Sequence, residues 1–336
     1  MALIIIEHTE TALEFLEALN PWKGYFSADY RQSFIFRGVG SADFHLTPSA
    51  FRPKTVLRHR QNSVEVPLPT LRDQIEAELD TLWEFFVAAD RQGLRLPEDS
   101  QKMRQDFRRH RTGTNFWQKI EAGEPWPPDE LISLMALAQH FRLPTRLLDW
   151  TWNPYIAAYF AAVGAEENTA SICVWALSAT NQEIQSIIVD PSERKLLIVS
   201  APASDNPNLQ AQRWAGLLYR HFGVSVKRPL TDINYEELAE ESFGIDPHFY
   251  KLTLPTREAG ELLRLLAALD INGSTLFPGF RGAADFVKEM SRWPDQFDWR
   301  GSDRPSVYNA AQKKLFEKHN IPTERRLPLL KKSDSK

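Results

Sequence analysis

Two short runs carry the residues whose types suit chemistry. The first is Phe36-Arg37-Gly38. An arginine at a strand end beside glycine lets a guanidinium and open backbone approach one anion together. Its fork can grip a phosphate or carboxylate through two hydrogen bonds. An arginine paired with a structural acid would look the same. The second run is Gln139-His140-Phe141-Arg142-Leu143-Pro144-Thr145-Arg146-Leu147-Leu148-Asp149-Trp150-Thr151-Trp152-Asn153-Pro154. Polar groups at that density suit a site at a strand-to-helix junction better than a plain core strand. Pro144 holds Leu143 extended, and Arg146–Thr151 is predicted as a strand with Arg146, Leu148 and Trp150 on one face and Leu147, Asp149 and Thr151 on the other. The Thr151 hydroxyl falls just before a helix capped by Asn153 and opened by Pro154, where free N–H groups favour anions. The alternative is an Arg146–Asp149 pair that fixes the strand. A working site needs such fixing too.

His140 has three readings: a general base, a ring stacked on a ligand, or a satisfied core histidine. A turn-rich stretch, Leu46-Thr47-Pro48-Ser49-Ala50-Phe51-Arg52, adds another arginine. The basic run Arg104–Arg111 suits either nucleic-acid contact or a solvated helix end. No metal-ligand spacing, phosphate-cradling glycine loop or nucleophile elbow is present in the sequence. The one cysteine, Cys173, sits in the strand-like Ser171-Ile172-Cys173-Val174-Trp175-Ala176 and reads as a core thiol.

The elements that must position these residues follow from periodicity. Strands are expected at Met1–Glu7, Ser33–Arg37 (with Gly38 marking its end), Ser171–Leu177, Leu196–Ser200, Ala215–Tyr219, Phe249–Leu254 and Ser274–Phe277. Helices are expected at Thr9–Leu19 with Thr9 as cap, Leu71–Ala89, Asp99–Arg109, Asp129–Phe141 with Asp129 as cap, the segment after Asn153, and Glu258–Leu269. Helices crowd the first half and strands the second, which gives an α+β class with a helical insertion over about residues 54–142. The whole is read as one domain over 1–330: motifs at 30–163, C-terminal strands and helices at 170–330, and a disordered tail at 331–336.

The 336 residues are 43% hydrophobic and 25% charged, with a net charge of −4. Such a balance argues against a generally basic, nucleic-acid-coating surface. A single cysteine rules out an intramolecular disulfide and fits a reducing, cytoplasmic setting. No apolar run is long enough to span a bilayer, and the apolar N-terminus is too short for a signal peptide. No membrane association is therefore expected.

Phe34-Ile35-Phe36-Arg37-Gly38, Leu46-Thr47-Pro48-Ser49 with Arg52, Gln139-His140 with Leu143–Thr151, and Ala157-Ala158-Tyr159-Phe160-Ala161 together resemble the FRG-domain family, named for its Phe-Arg-Gly element. Leu276-Phe277-Pro278 with Gly282 extends the resemblance over most of residues 30–290. Arg142 stands where the family usually has glycine, and Phe44 where tryptophan is common. More distantly, the order of motifs is similar to the NAD-binding frame of ADP-ribosyltransferases. Those enzymes place an arginine or histidine at one strand end. They place a serine, threonine or tyrosine at a second strand running into an Ala-x-x-Phe-Ala-like helix, and a glutamate or glutamine on a later strand. The resemblance implies a split central sheet, NAD as substrate, and Arg37, Thr151 and Gln212 in the three catalytic places. Gln210 stands close by Gln212 in the same run. Asp149 is a further carboxylate for the developing positive charge. Gly38, Arg37, Arg52, His140, Arg146, Trp150 and Tyr159 would contact the dinucleotide.

The function so implied is an NAD-dependent ADP-ribosyltransferase-like enzyme, or an NAD glycohydrolase using the same site. It would be a toxin or anti-phage effector acting on a protein or nucleic-acid acceptor, with an antitoxin as a possible regulator. The rival readings are a non-catalytic module that binds a nucleotide or phosphorylated ligand, and a nucleic-acid-binding protein.

Overall fold

A computed structural model of the chain describes residues 4–22, 26, 33–52, 70–112, 114–166, 168–179, 196–200, 207–222, 234–236 and 249–294. The tail expected to be disordered, and residues 53–69 of the helical insertion, lie outside these.

Among the described residues the strands are β1 (Ile4–His8), β2 (Ser33–Val39), β3 (Pro125–Trp126), β4 (Leu147–Thr151), β5 (Ser171–Ala179), β6 (Leu196–Val199), β7 (Trp214–Tyr219), β8 (His221–Phe222) and β9 (Phe249–Pro255). The helices are α1 (Ala12–Ala18), α2 (Leu71–Arg91), α3 (Gln101–Thr112), α4 (Thr114–Glu121), α5 (Asp129–His140), α6 (Pro154–Val163), α7 (Pro207–Ala211), α8 (Ala259–Ala267), α9 (Gly273–Leu276) and α10 (Phe280–Met290). Seven strands form one sheet in the order β1-β9-β5-β2-β4-β7-β6, and β3 pairs with β8 beside it. All pairs in the large sheet are antiparallel except β1 with β9. The class is α+β, as the sequence predicts.

The sheet is one body rather than two, which corrects the expected split. Its middle is nonetheless thin. β2 pairs with β5 along its whole length, from Ser33–Ala179 to Val39–Cys173. On its other side β2 meets β4 at the single pair Phe36–Thr151. One half (β1, β9, β5, β2) and the other (β4, β7, β6) are therefore joined by a narrow seam.

Alternation sends side chains to two separate cores. Phe34, Phe36, Val174, Ala176, Leu252 and Leu254 pack under α1, α6 and α8. Ile35, Trp175, Leu177, Leu148, Trp150 and Leu217 pack under the α2–α5 lobe. Gly38 lies inside β2 instead of ending it. A Cβ at Gly38 would stand 1.8 Å from the Ala157 carbonyl oxygen, and one at Gly40 would stand 1.7 Å from that of Gly164. Glycine at both places lets α6 lie directly on the strand.

Several local signals resolve differently from their sequence reading. Thr11, not Thr9, caps α1, in a capping box with Glu14, while the Thr9 hydroxyl donates to the Thr253 carbonyl. Pro128, not Asp129, holds the cap position of α5. Ser274–Phe277 is not a strand: Asn272 accepts from the Ser274 and Thr275 amides and turns the chain into α9, and α10 follows. That correction has a plain cause, since a side-chain cap offers those amides a local partner that no strand supplies. Thr70 forms a box with Asp73 at the start of α2, and Asn153 with Pro154 starts α6 as predicted.

The lobe is fastened to the sheet by a buried ion pair. Arg146 Nε donates to Glu78 Oε2 at 2.7 Å, with the two side chains 0% and 2% exposed. Trp126 Nε1 and Gln74 Nε2 donate to the same carboxylate at 2.9 and 2.7 Å. Arg146 Nη1 reaches His221 Nδ1 at 2.8 Å and the Tyr219 carbonyl at 3.3 Å. The Tyr235 hydroxyl donates to the Arg146 carbonyl. The pair thus ties α2, β3, β4, β7 and β8 together. Removing one partner strands a charge in a dry core, at a cost of about 3–5 kcal/mol. Arg146→Met is expected to lose about that much in urea denaturation, and adding Glu78→Gln is expected to restore part of it. Gly38→Ala is expected to destabilise by ~3 kcal/mol or more, because the new methyl meets helix backbone that cannot rotate away; the same denaturation measures it.

Candidate functional site

Arg37 emerges from β2 on the lobe side, in the same alternating row as Ile35. Beyond the Phe36–Thr151 pair the two strands part, and Arg37 Nη1 donates to the Asp149 carbonyl on β4 at 2.5 Å. Burial pulls its guanidinium below the ordinary arginine value, the Asp149 charge opposes this, and the Arg52 charge adds to it. The group stays cationic, since arginine does not deprotonate in proteins. Arg52 itself is held by a bond from Nε to the Thr47 carbonyl at 3.1 Å.

Asp149 is exposed, and its carboxylate is held from both sides. Trp214 Nε1 donates to Oδ1 at 2.9 Å, and Gln139 Nε2 donates to Oδ2 at 3.1 Å. Gly216, opposite Asp149 in the β4–β7 register, leaves room for this: a Cβ there would sit 2.7 Å from the Trp214 ring. Gln139 is oriented in turn by the Thr145 hydroxyl, which donates to Oε1 at 2.7 Å. Thr145 is pinned by Ser49, whose Oγ accepts from the Thr145 amide at 3.1 Å. A chain of bonds therefore runs from the Thr-Pro-Ser turn through Gln139 to Asp149. His140, next along α5, is half-buried, and its Nε2 lies 3.2 Å from the Asn208 amide nitrogen. Burial lowers the His140 pKa and the Asp149 charge pushes the other way. The neutral ring accepts from the Asn208 amide.

The other sequence-predicted residues lie elsewhere. Thr151 pairs with Phe36 and shares the face of Asp149, and its hydroxyl is engaged both as donor and as acceptor. It donates to the Gln212 carbonyl at 2.7 Å and accepts from the Asn153 amide at 3.1 Å. The Gln212 side chain turns away and donates to the Leu276 carbonyl at 3.2 Å. Tyr159 is buried, with its hydroxyl donating to Glu289 at 2.6 Å and its pKa raised by burial and that contact. Arg146 belongs to the ion pair with Glu78 and does not pair with Asp149. Gly38 faces α6. Trp150 is buried under the lobe, next to Phe249. In the crevice where β2 and β4 part, Arg37 thus meets the backbone of Asp149, with the Arg52 charge acting on Arg37 and the Asp149 charge on His140; Thr151, Gln212, Tyr159 and Arg146 are engaged in bonds of their own. The sequence reading missed the fixing role of Gln139, which lay within the quoted motif. It also missed Trp214, whose approach depends on a β4–β7 pairing that no local pattern reveals.

Of the basic run, Arg104 bridges Asp90 and Asp99 at 2.7 and 2.6 Å, and Arg109 stands 3.6 Å from Asp106. These pairs offset part of the positive field a polyanion would feel. Among the described residues no group of three His, Cys, Asp or Glu is placed to hold a metal ion, and no helix is long and apolar enough to cross a membrane.

The depressed His140 pKa has a signed consequence. Its unfolded form takes up a proton near pH 6.5 while the folded form resists, so stability is lost as pH falls from that value toward the folded pKa. Urea midpoints at pH 7.0 and 5.5 are expected to fall less in His140→Gln than in the parent protein. An equal fall in both would show that His140 carries no such penalty.

No curated protein and no solved structure matches the chain. The family profile described as FRG domain matches residues 32–170. That span begins just before β2 and runs past α6, and it contains Arg37, Gly38, Arg52, Gln139, His140 and Asp149. The segment that builds the crevice is therefore an FRG domain.

Proposed function

We propose that the FRG domain binds NAD at the β2–β4 seam and breaks its bond to nicotinamide, passing ADP-ribose to a protein or nucleic-acid acceptor or to water. The observation that carries this reading is the juxtaposition at the seam. A cationic Arg37 and an anchored Asp149 carboxylate occupy the place where two half-sheets part. Cleavage of the nicotinamide bond leaves an oxocarbenium-like ribose and a neutral leaving group. Arg37, with Arg52 beside it, suits the phosphates. Asp149, already aimed by Trp214 and Gln139, suits the positive charge that develops on the sugar, since groups fixed in advance need no reorganisation during reaction. His140, neutral and close to Asp149, offers a ring face and an acceptor nitrogen. In this arrangement Asp149 replaces the Thr151 and Gln212 of the resemblance, whose side chains are engaged in bonds to the backbone. Transfer to a cellular acceptor would make the protein an effector of the toxin or anti-phage kind.

A second reading is favoured by one specific fact. With Thr151 and Gln212 committed to structural bonds, the crevice also fits a module that binds a nucleotide without turning it over. Incubation with labelled NAD and a cell lysate separates the two. The enzyme releases nicotinamide or transfers label; the module binds NAD and leaves it whole. Asp149→Asn is expected to lower turnover by about a hundredfold or more while retaining NAD binding. Arg37→Ala is expected to lose binding under either reading, with circular dichroism confirming the fold. Failure of the wild-type protein to cleave NAD overturns the enzyme reading.

A further inference from the structure

We infer that the lobe-facing side of β2, β5 and β9 is a diphosphate subsite, in which Lys251 supplies the second cation opposite Arg37. The inference deepens the proposed function and rests on its reading of the ligand as a dinucleotide.

Arg37, Trp175 and Lys251 stand in one register row across three neighbouring strands. Strands lie about 4.8 Å apart, so the two cations leave the backbone roughly 10 Å from each other, with the indole between them. Both charges bear on the Cys173 thiol, two residues along β5 from Trp175, and Lys251 Nζ stands 4.7 Å from the Trp175 ring centre. The Arg52 charge also bears on Arg37. Among the described residues the Asp149 charge bears on Arg37 and the Asp43 charge on the Cys173 thiol.

The donors are under-used. Lys251 Nζ spends one proton on the Ala42 carbonyl at 2.5 Å and keeps two. Arg37 spends one N–H on the Asp149 carbonyl. Trp150, which follows Asp149 on β4 across the seam from Arg37, is only 2% exposed, and its Nε1 has no hydrogen-bond partner. Trp175 is equally buried, and its Nε1 likewise has no hydrogen-bond partner. A buried donor left without an acceptor costs free energy. Two indole donors and two partly spent cations on adjoining strands together call for an acceptor with several oxygens and more than one negative charge. A pyrophosphate has both. Cys173 takes no covalent part, since burial pushes its thiol up to about 12.

The test uses inorganic pyrophosphate and NAD as separate probes, by isothermal titration calorimetry on the full chain. Wild-type protein is expected to bind both, more weakly as salt rises. Lys251→Met keeps the apolar stem over Trp175 and is expected to weaken pyrophosphate and NAD binding about tenfold; Lys251→Arg is expected to recover most of this. Lys251→Gln, which can still donate to the Ala42 carbonyl, is the second variant should Lys251→Met lower the melting temperature. No pyrophosphate binding by the wild type overturns the subsite, as does wild-type affinity in Lys251→Met or Lys251→Gln. Lysine-dependent pyrophosphate binding without NAD cleavage supports the subsite and removes the glycosidic reading alone.

Discussion

A close backbone approach in the central sheet shapes much of what surrounds it. Helix α6 lies on β2 with no side chain between them at Gly38, and the same closeness recurs where Gly40 meets Gly164. A helix set that near a strand fixes the strand's rotation. Phe36 is then driven into the core beneath α1, α6 and α8, and its successor is turned to the opposite side of the sheet. The three-residue element reads as geometry: an aromatic anchor, a cation facing the crevice, and a residue without a side chain to admit the helix. Each is needed for the next, which is why the triplet behaves as a unit.

On the far side of β4 a different force sets position. The Glu78–Arg146 pair and the groups bonded to it hold the lobe against the sheet, and α5 rides with that lobe. Because α5 ends at His140, its last turn delivers Gln139 and His140 to the same edge that β4 reaches with Asp149. The crevice is therefore assembled from two independently anchored bodies: β2 under α6, and β4 with α5 under the buried ion pair. Neither the arginine nor the carboxylate depends on a flexible loop for its placement.

Much of this was legible from the chain. Periodicity located the long helices and most strands, because apolar spacing reports which face is buried whatever lies against it. The Asn153-Pro154 start of α6 was readable because capping is local. The site divided along the same line. Arg37, Arg52, His140 and Asp149 lie in dense polar motifs, which makes them legible as candidates. The partner of Arg146 was not, because Glu78 lies 68 residues away on the polar side of what reads as an ordinary amphipathic helix. Thr151 and Gln212 were assigned by analogy of motif order. Order says nothing about which groups a side chain meets, and the Thr151 hydroxyl and the Gln212 amide are both taken up by backbone groups. The Ser274–Phe277 segment was misread because its length and residue types fit a strand, while the decisive bond comes from Asn272, outside the pattern.

The seam between β2 and β4 has a meaning beyond geometry. Elsewhere in the sheet, continuity rests on runs of paired residues; here one backbone pair is supplemented by the Arg37 side chain, which holds the Asp149 carbonyl in place of a ladder amide. A side chain, unlike an amide in the ladder, can change partners. An anion that drew the guanidinium toward itself would release that carbonyl, and whatever tightened the seam would withhold the guanidinium from the anion. Occupancy of the crevice and the mechanical coupling of the two half-sheets are thus thermodynamically linked through one shared donor, each able to bias the other.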